Sequence, residues 1–115
     1  MEFERRRKTE LPKYVVISNH PPNSCPSSVS KLREMGDKLG EQIPPLMNKH
    51  NIKPEVMVHL DPGHKVLWVL EAPSSEAVRD MICDAGLHQY NDFEFYMASS
   101  MEWIVDAIHK QPPIW

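Results

Sequence analysis

Two side chains that could do chemistry, His20 and Cys25, flank a proline-rich turn near the start of the chain. Residues 14–28 predict a buried strand, this turn and the start of a helix, so Cys25 falls just before a helix N-terminus. Backbone N–H groups and the positive end of the helix dipole stabilise a thiolate at such a position. We therefore expect the pKa of Cys25 to lie below its usual value, which suits nucleophilic, redox or metal-binding chemistry.

Periodic apolar residues predict the elements that must position this pair. A β-branched run at residues 14–19 predicts the first strand. A first helix follows, capped by Ser27 or Ser28, with apolar residues at spacings of three and four: Val29, Leu32, Met35 (or Gly36), Leu39 and Ile43. Pro44 and Pro45 should kink or break this helix, because proline lacks the N–H donor that a helix interior needs.

Residues 55–71 predict a β-hairpin around an Asp-Pro-Gly-His turn, which fits a type II turn. The predicted register pairs Leu60 with Lys65, His59 with Val66 and Met57 with Trp68. A second helix should start at Ser74 or Ser75 and stop at Gly86. A last strand at 93–97 and a short helix after the serines at 99–100 complete the pattern.

This order of elements predicts an α+β, ferredoxin-like β-α-β-β-α-β fold with an added C-terminal helix. The four strands should form one antiparallel sheet in the order 4-1-3-2, with both main helices on one face. We assign residues 13–115 to this single domain and residues 1–12 to a flexible N-terminal arm, which carries the basic run at residues 5–8.

The predicted topology brings scattered polar residues to one edge of the sheet. His20, His59, His64 and His88 all fall at this edge, as does Cys25. We predict His20, Cys25, His59 and His88 as ligands of a transition metal, Ni²⁺, Cu²⁺ or Zn²⁺, because imidazole and thiolate suit these ions. His64 follows the tight turn and is expected to be solvated, and Cys83 should be inert packing within the second helix.

The face of the sheet away from the helices also predicts a partner. If Val15 and Ile17 face the helices, the opposite face holds an apolar patch larger than monomers usually expose. The residues assigned to that patch are Val16, Met57, Val66, Trp68 and Leu70. A two-fold homodimer, with two sheets face to face in a dimeric α/β barrel, would cover it.

Two short motifs resemble a known group of proteins. Val58-His59 ends the second strand, and Ala-Pro-Ser-Ser-Glu-Ala at residues 72–77 opens the second helix. In these motifs the chain resembles small bacterial ferredoxin-like dimeric α/β-barrel proteins of unknown function, which include a nickel-binding member. The resemblance implies a dimer and a bound metal ion, and it covers roughly residues 53–86.

Two other functions stay open. A cofactor-independent monooxygenase or isomerase would use the barrel interior, which needs an apolar pocket and groups for proton transfer. His59 and Glu94 could transfer the proton, and we predict Met57, Trp68, Glu94 and Tyr96 as the ligand pocket. A protein-interaction module docking through its sheet edge or terminal helix is the third possibility. The sequence leaves open whether the protein is an enzyme.

Charge and composition limit the partners and the cellular location that we expect for this protein. The formal net charge of −3 gives no global attraction to nucleic acid. No apolar run reaches the roughly 18 residues of a membrane span. The two cysteines make no disulfide framework. We therefore expect a cytoplasmic protein whose partners are a second copy of itself and a metal ion or small molecule, with neither nucleic acid nor membrane.

Overall fold

The computed structural model describes residues 11–25 and 30–114, and it has the predicted ferredoxin-like architecture. Three α-helices and four strands follow one another in the predicted order. Their bounds are β1 Lys13–Asn19, α1 Ser30–Lys49, β2 Lys53–Leu60, β3 Lys65–Glu71, α2 Ser75–Asp84, β4 Asp92–Ala98 and α3 Met101–Lys110. Two short 3₁₀ helices, Pro22–Ser24 and Leu87–Gln89, lie in the connections. The N-terminal arm up to residue 10, its basic run and the predicted caps Ser27 and Ser28 lie outside the described residues.

The strands form one antiparallel sheet in the order β2-β3-β1-β4, which confirms the predicted topology. The predicted hairpin register is also confirmed, since Met57 pairs with Trp68 and Leu60 with Lys65. The turn itself differs from the prediction. The Asp61–Pro62 bond is cis and Gly63 does not adopt a positive φ, so the turn is not type II.

The face of the sheet that packs on the helices is the opposite of the predicted one. Tyr14, Val16, Trp68 and Leu70 are buried in the core. The helix residues and neighbouring positions that join them are Met47, Ile52, Val78, Met81, Ile82, Ala85 and Leu87. The prediction was wrong because β1 is apolar on both faces, so its alternation fixes the two sets of residues without saying which set meets the helices.

The face away from the helices is nevertheless apolar at its centre. Its residues follow from the register, since paired positions on neighbouring strands share a face. They are Val15, Ile17, Val56, Val58, Leu67, Val69 and Tyr96. All of them are partly or largely exposed. We call this set the open face.

Helix α1 continues through Pro44 and Pro45 instead of breaking. The prolines remove the donors that would bond the carbonyls of Gly40 and Glu41. All four residues are exposed, so water can take the place of the lost donors. The prediction of a break was wrong because it ignored which side of the helix the prolines occupy.

The end of α1 is closed by two backbone bonds around Asn51, which has a positive φ of 57°. The Ile52 N–H donates to the Met47 carbonyl and the Asn51 N–H to the Asn48 carbonyl, the Schellman pattern. Ile52 is thereby placed in the core. Nearby, His50 Nε2 lies 2.8 Å from Asp84 Oδ2 and ties α1 to the end of α2.

Serine caps start the other two helices. Ser74 accepts a hydrogen bond from the Ala77 N–H at the start of α2, and Ser100 accepts one from the Trp103 N–H at the start of α3. Gly86, with a φ of 74°, ends α2 as predicted.

Helix α3 leaves much of its apolar surface exposed, including Trp103 and Ile108. No helix among the described residues is long and apolar enough to span a membrane.

Candidate metal centre

The end of β1 and the hairpin turn are joined through their backbones. The His20 N–H donates to the His64 carbonyl over 3.1 Å, one residue beyond the last β1–β3 pair of Asn19 with Lys65. This bond holds the residue that follows the turn beside the residue that follows the strand. The imidazole rings of His20 and His64 consequently lie close together, with 5.6 Å between their centroids.

The 3₁₀ helix Pro22–Ser24 turns the chain back toward this edge. The Ser24 N–H donates to the Pro21 carbonyl, and the Cys25 N–H donates to the Pro22 carbonyl. Prolines suit the turn because they lack N–H donors and have a fixed φ. Cys25 is left 95% buried, with an exposed fraction of 5%, and neither it nor Cys83 is in a disulfide.

The β1–α1 connection and the hairpin turn bring together a His-Cys-His group. One ligand atom each from His20, Cys25 and His64 lies within 4.8 Å of the other two. Ligand atoms that share a tetrahedral zinc ion are about 3.5 Å apart, given Zn–N and Zn–S bonds of about 2.0 and 2.3 Å. Side-chain rotations that move these atoms by about 1 Å would therefore let them bind one ion.

Two ring nitrogens of this group have no hydrogen-bond partner among the described residues. They are Nε2 of His20 and Nδ1 of His64, and both atoms are buried. A buried polar atom left without a partner costs about 1–3 kcal/mol. An ion bound through these two nitrogens would satisfy both of them, so the chemistry of the group suits a metal ion.

The other ring nitrogen of His20 is engaged. Its Nδ1 lies 3.0 Å from Oδ1 of Asn91, a residue just before β4. The Asn91 amide Nδ2 in turn donates to the Leu87 carbonyl over 3.0 Å. Sequence reasoning did not single out Asn91. The predicted topology could have pointed to it, because the start of β4 meets the end of β1 at this edge.

Only part of the predicted ligand set is brought together. His20 and Cys25 are in the group, whereas His59 is exposed and its Nδ1 lies 2.8 Å from Asp61 Oδ1. His88 is exposed within the second 3₁₀ helix. The expectation that His64 is solvated was wrong, because the backbone bond to His20 draws it against β1 and buries its Nδ1.

The predicted ligand pocket is divided between the two faces of the sheet. Met57 and Trp68 pair on the helix side, and Trp68 is buried. Glu94 and Tyr96 lie on the open face, where the Tyr96 hydroxyl donates to Glu94 over 2.9 Å. The structure therefore does not bring the four into one pocket. Met57 instead borders an apolar groove of about 270 Å³ between α1 and β2, lined by Gly40, Ile43, Pro44, Met47 and Pro54.

Comparisons with known proteins leave the function open. No protein-family model matches the chain, and no curated protein matches it. Among solved structures, the chain is similar to the C-terminal domain of the MgtC protein from Mycobacterium tuberculosis. That match has a TM-score of 0.49 and 9% identity, and it covers 82% of this chain and 94% of the other. At this level of similarity no activity or partner transfers, and nothing found in the comparisons supports nickel binding.

Proposed function

We propose that the protein binds a transition metal ion through His20, Cys25 and His64 at the edge of its sheet. The observation that carries this proposal is the convergence of three side chains from two separate connections, with two buried ring nitrogens lacking partners among the described residues. Nitrogen and sulfur donors favour Zn²⁺, Cu²⁺ or Ni²⁺ over Mg²⁺ or Ca²⁺, which prefer oxygen.

Three protein ligands leave a coordination position for a further group. Metal sites with three protein ligands generally bind water or a substrate at the fourth position, whereas structural zinc sites are closed by four protein ligands. Within this proposal, a small ligand could bind the metal ion at that fourth position. His59 and His88 stay predictions as additional ligands.

Metal titration of protein prepared without an affinity tag tests this proposal. Co²⁺ is a useful probe because a cobalt–thiolate bond gives an ultraviolet charge-transfer band, and Zn²⁺ should displace it. We expect Cys25→Ser to abolish the band and His64→Ala to weaken Co²⁺ binding at least about tenfold. The matched controls are Cys83→Ser and His109→Ala, whose parent residues are both exposed.

A thermal shift gives a second measurement. An ion that binds only the folded state stabilises it by about 2.7 kcal/mol at a free concentration 100 times Kd. Wild-type protein that shows neither a cobalt–thiolate band nor a thermal shift with Zn²⁺, Ni²⁺ or Cu²⁺ would rule out the proposed function. Equal binding by wild type and Cys25→Ser would remove Cys25 from the site.

The open face supports a second proposal, a homodimer with two such faces in contact. Its apolar centre is flanked by charges of both signs at each end. One end carries Lys13 and Glu71, and the other carries Lys65 with Asp92 and Glu94. Because each end carries both signs, a second copy can place acidic groups opposite basic ones in a two-fold arrangement.

Light scattering tests the dimer. We expect twice the subunit mass of 13.3 kDa for the wild type, and a single subunit's mass for Val58→Lys, which places a charge among the apolar residues of the open face on the edge strand β2. Lys110→Glu, a charge change in α3, is the control. A wild-type mass of one subunit at micromolar concentration would refute the dimer.

An enzyme acting inside such a dimer could use only some of the residues predicted for its pocket. Val16, Trp68 and Leu70 are in the helix-side core, so they cannot line a space between two open faces. The polar groups left for that alternative are Glu94 and Tyr96, where the hydrogen bond to Glu94 raises the pKa of the Tyr96 phenol. A raised pKa makes the phenol a weaker acid.

A further inference from the structure

The side chain of Asn91 connects the start of β4 to the end of β1. It reaches His20, 71 positions earlier in the chain, with Oδ1 3.0 Å from the ring Nδ1. It also bonds the second 3₁₀ helix, where its Nδ2 donates to the Leu87 carbonyl over 3.0 Å. Leu87 is part of the hydrophobic core, so the carbonyl that holds the amide belongs to a well-packed segment.

The Leu87 carbonyl decides which way the Asn91 amide points. A carbonyl oxygen only accepts, so the amide atom facing it must be the NH₂ group. Rotating the amide by half a turn would bring two oxygens together there and would present a donor to His20. The orientation with Oδ1 toward His20 is therefore the one in which both contacts are hydrogen bonds.

The same logic decides which nitrogen of His20 carries the proton. Because Asn91 Oδ1 can only accept, His20 must donate from Nδ1, and in the neutral ring Nε2 then has a free lone pair. Nε2 is the buried nitrogen with no partner among the described residues, and the His20 residue is 91% buried, with an exposed fraction of 9%. Metal-binding histidines generally donate their other N–H to an oxygen in this way.

We propose that Asn91 is a positioning residue, which holds His20 in the Nδ1–H tautomer and presents its Nε2 to a metal ion bound with Cys25 and His64. This inference rests on the proposed metal-binding function. It adds a residue that touches no metal and acts only through His20. If Asn91 only stabilised the turn before β4, its bond to Leu87 would be needed. The tautomer of His20 would then have no effect on metal binding.

Two substitutions separate these roles. Asn91→Asp keeps an oxygen acceptor for His20 but loses the donor to Leu87, and Asn91→Leu is similar in size but loses both bonds. We expect Asn91→Asp to bind Co²⁺ and Zn²⁺ within a few-fold of wild type, and Asn91→Leu to bind them about 10 to 100 times more weakly. If the role of Asn91 is purely structural, both variants should lose the same amount of metal affinity, since both lose the bond to Leu87. Circular dichroism confirms that each variant is folded.

The tautomer of His20 can be measured directly, without adding metal. Long-range ¹H–¹⁵N correlation spectra of metal-free wild-type protein at mildly alkaline pH distinguish protonation at Nδ1 from protonation at Nε2, and His20→Gln assigns the signal. We expect Nδ1–H. An Nε2–H tautomer would overturn the inference even if the protein binds metal.

The metal affinities of the two Asn91 variants provide the second test of the inference. Wild-type affinity in Asn91→Leu, or equal losses in Asn91→Leu and Asn91→Asp, would also overturn the inference while leaving the proposed function intact. If wild-type protein binds none of the metals, the proposed function fails, and the tautomer spectrum still shows separately whether the bond between Asn91 and His20 forms.

Discussion

Leu70 and Leu67 lie three residues apart in β3 but on opposite faces of the sheet, and they offer a matched test of which face packs on the helices. Leu70 is fully buried, with an exposed fraction of 0%. Leu67 is on the open face, partly exposed and paired with Ile17 and Val58. Leucine-to-alanine changes at buried sites cost about 2–5 kcal/mol. We expect Leu70→Ala to lower the free energy of unfolding by about 3 kcal/mol and Leu67→Ala by about 1 kcal/mol.

Thermal unfolding converts these values into a measurable difference. For the 115 residues of this chain, the entropy of unfolding near 60 °C is about 240 cal/mol/K, so 3 kcal/mol corresponds to a Tm lower by about 12 °C and 1 kcal/mol to about 4 °C. Melts followed by circular dichroism across a range of protein concentrations provide the assay. If the dimer forms, the loss for Leu67→Ala should grow with protein concentration, because its methyl groups then lie in the contact between copies.

One result would refute this assignment of the two faces. If Leu67→Ala costs as much as Leu70→Ala at the lowest protein concentration, where association contributes least, the open face must itself be buried within one chain. The assignment of Leu67 to a partly exposed face would then be wrong.

Three further predictions concern single groups. His50 lowers the pKa of Asp84 by a hydrogen bond, so the ionised carboxylate stabilises the fold above its ordinary pKa of about 4, and this contribution is lost as the pH falls through the lower folded-state pKa. Asp84→Asn should remove that part of the acid dependence of urea unfolding, and an unchanged dependence would contradict it. Glu94→Gln should lower the pKa of Tyr96 toward its usual value, measured by phenolate absorbance against Tyr96→Phe. Gly86→Ala should lower the free energy of unfolding by about 1 kcal/mol because its φ of 74° is positive, and chemical denaturation that shows no loss would contradict this.

Local sequence chemistry predicted the elements and the hairpin register well. The register of Met57 with Trp68 follows from a four-residue turn between two apolar strands of similar length, and both are local features. The caps and stops at Ser74 and Gly86 are likewise decided by the needs of helix ends. From the order of these elements the sheet topology could be predicted, because few arrangements connect them without crossings.

Which face of the sheet packs on the helices could not be predicted in the same way. In β1 the set Tyr14 and Val16 and the set Val15 and Ile17 are both apolar, so the alternation is symmetric. The choice depends on volume: Trp68 and Leu70 pair beside Val16 and Tyr14, and these larger side chains fill the space beneath the helices. Packing against distant helices decides this, and no period in a single strand contains that information.

Only the location of the candidate metal centre could be predicted, because its three side chains come from two connections and share no sequence spacing. The position of His20 and Cys25 between β1 and α1 predicts both of them, whereas the tight turn before His64 predicts a solvated side chain. The position of His64 depends on a bond between its own carbonyl and the N–H of His20, which lies 44 residues earlier in the chain. The antiparallel register implies this bond, since extending the β1–β3 pairs one step beyond Asn19 and Lys65 places His20 opposite His64. A sheet register, followed past the last predicted strand residue, therefore identifies side chains that meet at an edge, and sequence spacing alone does not.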